Sequence, residues 1–211
     1  SLSALKFAIT LKSKKFILPG STMEYDSSNG CINENSIINP QNAYGTAKLA
    51  TKFFCAAECE KYEIQYINAV ISSIYAADRV DNNVIYYVIN ELLDNKKPSL
   101  TKLEQLWDYV YIDDVVNGLY QLTKKTAWRN FYTIGKGDNW PLCNYIYKIR
   151  DLIDCNLPLG IGEIAYKNNK MNNSCIDITP LNQDTGFKPK VAFDDGIRLV
   201  IKRIKDNRKK V

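Results

Sequence analysis

Histidine is absent from all 211 positions. That removes Ser-His-Asp and Cys-His catalysis from within the chain, and most zinc sites with them. Acid–base chemistry is left to Tyr, Lys, Asp, Glu or Cys. No two cysteines stand in C-x-x-C spacing; Cys31, Cys55, Cys59, Cys143, Cys155 and Cys175 are scattered. Cys55 and Cys59 are one helical turn apart and read as packed thiols rather than a metal clip. Reduced thiols imply a cytoplasmic protein. No apolar run is long enough to span a bilayer, and no secretory signal pattern is present, so no membrane role is expected. The net charge is only +5, and much of it lies in "IKRIKDNRKK" at 201–210. No aromatic residue interleaves with that run, which reads as a basic helix end and not a nucleic-acid contact. The chain opens on Ser1, and "SLSALKFAITLKSKK" reads as the middle of a helix. The expectation is a piece that starts part-way through a fold.

The rest of the sequence alternates. Residues 2–12 read as helix and 15–19 as strand. Residues 26–42 are polar and turn-rich, a loop. A long helix is expected over 43–61, with Ala47, Ala50, Phe53, Phe54 and Ala57 at helical spacing. Residues 64–75 form one Ile-, Val- and Tyr-rich run, read as a buried strand. "NVIYYVINELLDN" reads as helix, "WDYVYI" as a short strand, and Asp113-Asp114 as the acidic start of a helix to Thr123, with Asp113 as its cap. "NFYTIG" is a strand stopped by Gly135. Pro141 opens a further helix, 178–185 is a short helix closed by Gly186, and the last helix starts near Asp194. Strands alternating with helices mean an α/β chain built on a parallel, doubly wound sheet. The second half is more mixed, as a smaller lobe over the sheet would be.

Chemistry concentrates at two places. Phe16-Ile17-Leu18 stops at Pro19-Gly20, and Ser21 and Thr22 follow at once. Ligands of open α/β sheets bind at the carboxyl ends of the strands, so these hydroxyls are either turn residues or site residues. The long helix then opens with Tyr44-Gly45-Thr46-Ala47-Lys48, which puts Tyr44 and Lys48 on one helix face. A bare Y-x-x-x-K arises easily by chance in a Lys-rich chain. Its place at a helix start, downstream of a hydroxyl pair at a strand end, gives it weight.

Four stretches carry a resemblance: "GSTMEY" at 20–25, "NPQNAYGTAKLA" at 39–50, "QLWDYVYIDDVVNGL" at 105–119 and "DITPLNQDTGFKPKVAFDDGI" at 177–197. In order and spacing they resemble the extended short-chain dehydrogenase/reductase superfamily, in its NAD-dependent nucleotide-sugar epimerase/dehydratase branch. The resemblance implies a Rossmann-like sheet whose N-terminal part is missing here, with a smaller mixed α/β substrate lobe. Residues 1–75 would be the later part of the NAD(P)-binding domain. Residues 76–211 would be mainly the lobe, with 105–135 returning to the sheet. The family's G-x-x-G-x-x-G turn is absent, and the missing part is roughly 90–100 residues, about half a typical domain.

The same resemblance assigns roles. Tyr44 is the general acid/base, Lys48 holds the nicotinamide ribose, and Ser21 binds the reacting sugar oxygen. A phenol ordinarily ionises near pH 10, and neighbouring positive charge favours the phenolate. Ser73 aligns with a polar cofactor-side residue, Asn83 with a diphosphate contact, Lys167 with a phosphate contact, and Thr22 lies beside the substrate. Each has a plainer reading: Ser73 as a small buried residue, Asn83 as a helix cap, Lys167 as a solvated side chain. Three departures stand out. Met23 replaces a proton-transferring group of the 4,6-dehydratases, with Glu24 offset by one. Trp107 stands where many members have a diphosphate-binding Arg, and Val70 replaces another Arg. Asp108 reads as an anchor for the lobe. The implied activity is NAD- or NADP-dependent oxidoreduction of a nucleotide-activated sugar, first as a 4-keto reductase, alternatively as a C4 epimerase. A non-catalytic dinucleotide-binding protein or truncated remnant is the reading from another class. By analogy, the helices at 43–61 and 84–93 would pair in a homodimer.

Overall fold

The computed structural model describes residues 1–28, 30–40, 42–78, 83–124, 126–166 and 173–209. At its centre are three parallel strands, β1 (Lys15–Ser21), β2 (Gln65–Ile71) and β7 (Phe131–Ile134), in the order β1-β2-β7. Ile17 pairs with Ile67, and Ala69 with Tyr132. Alternate residues feed opposite faces, as the strand period requires. On one face Leu18 and the partly buried Phe16 and Tyr66 pack with Cys55 and Cys59 of α2 (Ala43–Lys61) and Leu5 of α1 (Leu2–Thr10). The two thiols are fully buried there, as packed core groups. On the other face Ile67, Ala69, Tyr132 and Ile134 meet Leu122 of α4 (Ile112–Leu122), Leu181 of α6 (Thr179–Thr185) and Phe187. Both faces are covered, the arrangement that a doubly wound parallel sheet requires.

Local signals fix the helix ends. The Asn42 side chain accepts from Gly45 N at 2.8 Å and caps α2. Gly186 closes α6 with φ +71, a conformation that glycine adopts without steric cost. The Lys15 ammonium, at the start of β1, donates to the carbonyls of Leu122, Lys124 and Ala127, so it caps the end of α4 from a distant strand.

The long apolar run at 64–75 is not one strand. It breaks at Ser72, whose N–H still donates to Ile134 O in the main sheet at 3.0 Å. The next residue changes partners: Ser73 N donates to Asp108 O, and β3 (Ser73–Tyr75) pairs in parallel with β6 (Tyr109–Tyr111). "WDYVYI" is also divided, because β5 (Leu106–Trp107) pairs with β8 (Trp140–Pro141). Asp113 makes no cap at α4; the N-cap is Tyr111, without a side-chain bond. The buried neighbour Asp114 instead accepts from Lys190 N and Val191 N, at 2.8 and 2.9 Å.

A second core lies beyond β3. Here α3 (Val84–Leu93), α5 (Leu142–Ile153) and α7 (Phe193–Arg208) enclose Ile85, Ile89, Tyr109, Tyr145, Ile146, Phe193 and Ile197. A short parallel pair, β4 (Ser99–Leu100) with β9 (Gly160–Ile161), edges it. The basic run at 201–208 is the end of α7, where Arg208 bonds Asp94 at 2.6 Å. Among the described residues, no helix is long and apolar enough to cross a membrane.

Candidate active site

The site is built at the carboxyl end of β1. Ser21 ends the strand and caps a 3₁₀ turn at Thr22–Glu24. Its Oγ accepts from Met23 N at 3.2 Å, and its own N–H donates to Glu24 Oε1 at 2.7 Å. This reciprocal capping holds the turn rigid. A hydroxyl that accepts one bond still has its own proton to donate, so Ser21 is a turn residue without losing its chemistry.

The first turn of α2 presses on that 3₁₀ turn. Gly45 is buried, and a Cβ there would overlap the Met23 carbonyl oxygen and sit 3.0 Å from its carbon. Only glycine lets the helix approach so closely. Tyr44, the residue before it, is 58% exposed and therefore open to a ligand. One turn later the Lys48 ammonium donates to Pro19 O at 2.6 Å, tying α2 to the end of β1. The ammonium has two further N–H groups. Ser21, Thr22, Tyr44 and Lys48 are thus gathered around one strand end. Gly45→Ala is expected to destabilise the fold by about 1–3 kcal/mol through overpacking, seen as a lower urea midpoint. An unchanged midpoint would mean that the two turns are not in contact.

Beneath the turn lies a network that sequence reasoning missed. Glu24 is fully buried, and its Oε2 has no hydrogen-bond partner among the described residues. Burial raises its carboxyl above the ordinary range, opposed by the Ser21 N–H and by the charges of Lys52 and Lys48. Tyr25 OH accepts from Lys52 Nζ at 2.8 Å and from Asn68 Nδ2 at 3.0 Å. Burial pushes the Tyr25 phenol far up and the Lys52 ammonium down. The available signals were Lys52, one turn beyond Lys48, and an Asn inside the apolar run "YINAVI".

The remaining predicted residues are spread more widely. Thr22 Oγ1 lies 3.3 Å from Ser174 Oγ, which joins the turn to the segment before Cys175. Ser73 is half-buried in β3. Asn83 caps α3, its Oδ1 accepting from Ile85 N at 3.0 Å. Lys167 lies outside the described residues. Trp107 is half-buried, and its buried indole N–H has no partner among the described residues. It helps line a pocket of about 420 Å³ with Val84, Tyr87, Leu103 and Leu142 and no charged residue. Val70 is fully buried. Among the described residues, no three His, Cys, Asp or Glu side chains form a metal-binding group.

Comparison with known proteins places the fold. The model of the NAD dependent epimerase/dehydratase family matches residues 1–135. A dTDP-4-dehydro-6-deoxyglucose reductase from Escherichia coli is 25% identical over 194 residues, covering 90% of this chain and 60% of its own length. A dTDP-glucose 4,6-dehydratase from Escherichia coli is 23% identical over 175 residues, 80% of this chain and 48% of its own. The chain thus spans less than two thirds of these curated relatives. Among solved structures, dTDP-glucose 4,6-dehydratase from Bacillus anthracis in complex with NAD superposes with a TM-score of 0.85 at 15% identity, over 99% of this chain and 67% of that one. UDP-glucose 4-epimerase from Thermotoga maritima gives 0.84 at 20% identity, over 98% and 68%. The fold is the same in each.

Proposed function

Since the chain belongs to the NAD-dependent epimerase/dehydratase family, we propose that it supplies the catalytic part of an enzyme that uses NAD or NADP to transfer hydride at C4 of a nucleotide-activated sugar. The observation that carries this reading is the contact of Gly45 with Met23, which sets Tyr44 beside the turn that holds Ser21 and Thr22.

The residues present suit the nicotinamide end of the cofactor: a phenol open to solvent and an ammonium one turn away, fixed to a strand end. The sequence contains no G-x-x-G-x-x-G turn to cradle the pyrophosphate. When bound, the dinucleotide supplies the hydride acceptor or donor. Tyr44 takes a proton from, or returns it to, the sugar C4 oxygen. Ser21 donates a hydrogen bond to the same oxygen and holds it in line. Lys48, anchored on Pro19 O, is the proposed contact to the nicotinamide ribose. Ser73, at the start of β3, stays on the cofactor side. Thr22 and Asn83, with Lys167, are the proposed substrate contacts. Dehydration is disfavoured, because Met23 carries no transferable proton and Glu24 is buried beneath the turn.

Epimerisation and 4-keto reduction need the same three side chains. Several of the similar solved structures are 4-epimerases, while a curated relative matched over 90% of this chain is a dTDP-4-dehydro-6-deoxyglucose reductase and others matched over 80% or more are dTDP-glucose 4,6-dehydratases. The C4 epimerase is the reading better supported; the reductase is the second. Exposed Phe53 and Phe54 on α2 give an apolar face on which two copies would pair. The test is to denature the purified full protein and identify the released dinucleotide by mass. Tightly retained NAD supports an epimerase, which returns the hydride to the same sugar. An empty site that fills with NADPH and reduces a 4-keto nucleotide sugar supports the reductase. Binding of neither cofactor overturns the redox reading.

A further inference from the structure

We propose that Cys31 and Cys175 form a dithiol site that a low-molecular-weight disulfide, such as glutathione disulfide, converts to an intramolecular disulfide. The pair is brought together by backbone pairing. Ile32 and Ile176 form a parallel bridge, with Ile32 N donating to Cys175 O at 2.9 Å and Asp177 N donating to Ile32 O at 3.1 Å. Residues directly opposite in such a bridge point to the same side. Ile32 and Ile176 both enter the core beside Tyr25 and Val70. The preceding pair, Cys31 and Cys175, therefore faces the other way together. Neighbouring strands lie about 4.8 Å apart, inside the range of roughly 4.4–6.8 Å between Cα atoms that a disulfide spans.

The two sulfurs differ in access. Cys175 is fully buried, whereas Cys31 is half-buried and lines an open cavity of about 250 Å³ with Asp26, Asn33 and Ser36. Burial pushes the Cys175 thiol up to about 12, with the neighbouring Cys31 thiol adding to it. The thiolate is the attacking form, so the exchange starts at Cys31. Its sulfur attacks glutathione disulfide, the S–S bond breaks, and one glutathione leaves. Cys175 then gives up its proton and attacks Cys31 Sγ, and the second glutathione leaves with a proton. Two protein thiols are oxidised and one disulfide is reduced to two thiols.

The link would join the 26–42 loop, which leads into Tyr44, to the segment whose Ser174 touches Thr22. The chemistry itself does not depend on the proposed activity. The full chain is incubated with glutathione disulfide, alkylated, digested and analysed by mass. The expected product is a cross-linked Cys31–Cys175 peptide, two hydrogens lighter than the reduced pair, with no glutathione on either residue. Cys175→Ser is expected to stop at the Cys31–glutathione adduct. Cys31→Ser, which changes a residue facing a cavity, is expected to leave Cys175 unmodified. A wild-type chain that stops at the Cys31 adduct, or that takes up glutathione only at the exposed Cys155, overturns the proposal. So does glutathione on Cys175 in Cys31→Ser.

Discussion

Tyr44→Phe is expected to lower turnover about 10²–10⁴-fold, the usual worth of a positioned proton-transfer group, with little change in KM. The substitution removes one oxygen from a side chain that is 58% exposed. Folding stability should therefore stay within about 0.5 kcal/mol of wild type, as at other exposed sites. The combination separates chemistry from structure. Ser21 Oγ, Lys48 Nζ and the 3₁₀ turn keep their bonds in the variant, because none of them runs through the phenol oxygen. Loss of rate with intact melting locates the proton at Tyr44. Initial rates of nicotinamide absorbance change with a nucleotide sugar, beside thermal melting, decide it. Full turnover by the variant removes Tyr44 from the reaction, and a matched loss of melting temperature makes it a packing residue.

Several helices were legible in the sequence because they carry their own punctuation: Asn83 before α3, Pro141 before α5, Gly186 after α6. The Tyr44–Lys48 ridge was legible for the same reason, since i and i+4 fix a face within one helix. What could not be read was partnership between distant segments. The run at 64–75 is rich in Ile, Val and Tyr on both sides of Ser72-Ser73, and local sequence does not show that the chain there leaves one sheet for another. Asp113 and Asp114 look alike in sequence; only the return of residues 190–191 gives Asp114 its two backbone donors. Glu24 reads in sequence as an acid offset by one from the dehydratase position, and the turn that Ser21 and Glu24 cap together buries its carboxylate.

Asp108→Ala is the substitution expected to cost most stability, about 3–5 kcal/mol, the range for removing one partner of a buried, bonded charge. Its carboxylate is fully buried and accepts from Lys136 N at 2.9 Å, Gly137 N at 2.7 Å and Asp138 N at 3.2 Å. Its backbone meanwhile accepts from Ser73 N and donates to Ser174 O. One residue thus ties the end of β7, the start of β3 and the segment before Cys175 into a single junction between the sheet and the lobe. Gly135 shows how tight that junction is: a Cβ there would collide with Asp108 Oδ2 and sit 2.8 Å from Ser72 Oγ. Without the carboxylate, three part-buried N–H groups lose their acceptor, each at a cost of up to about 1–3 kcal/mol where water does not reach it. Asp108→Asn keeps an acceptor oxygen and should fall between wild type and Asp108→Ala. The pH dependence adds a sign. Burial holds the folded carboxyl above its unfolded value, near 3.9, with the Lys136 and Gly137 N–H groups opposing. A raised folded value means that the contribution is complete below about pH 3.9 and declines as pH rises through the folded value. The gap between wild type and Asp108→Ala in urea unfolding should therefore narrow from acid toward neutral pH. A gap that widens over that interval would mean that the anion, held by its three donors, is the favoured buried form. A gap under about 1 kcal/mol at every pH would mean that the lobe is held to the sheet by its apolar contacts alone.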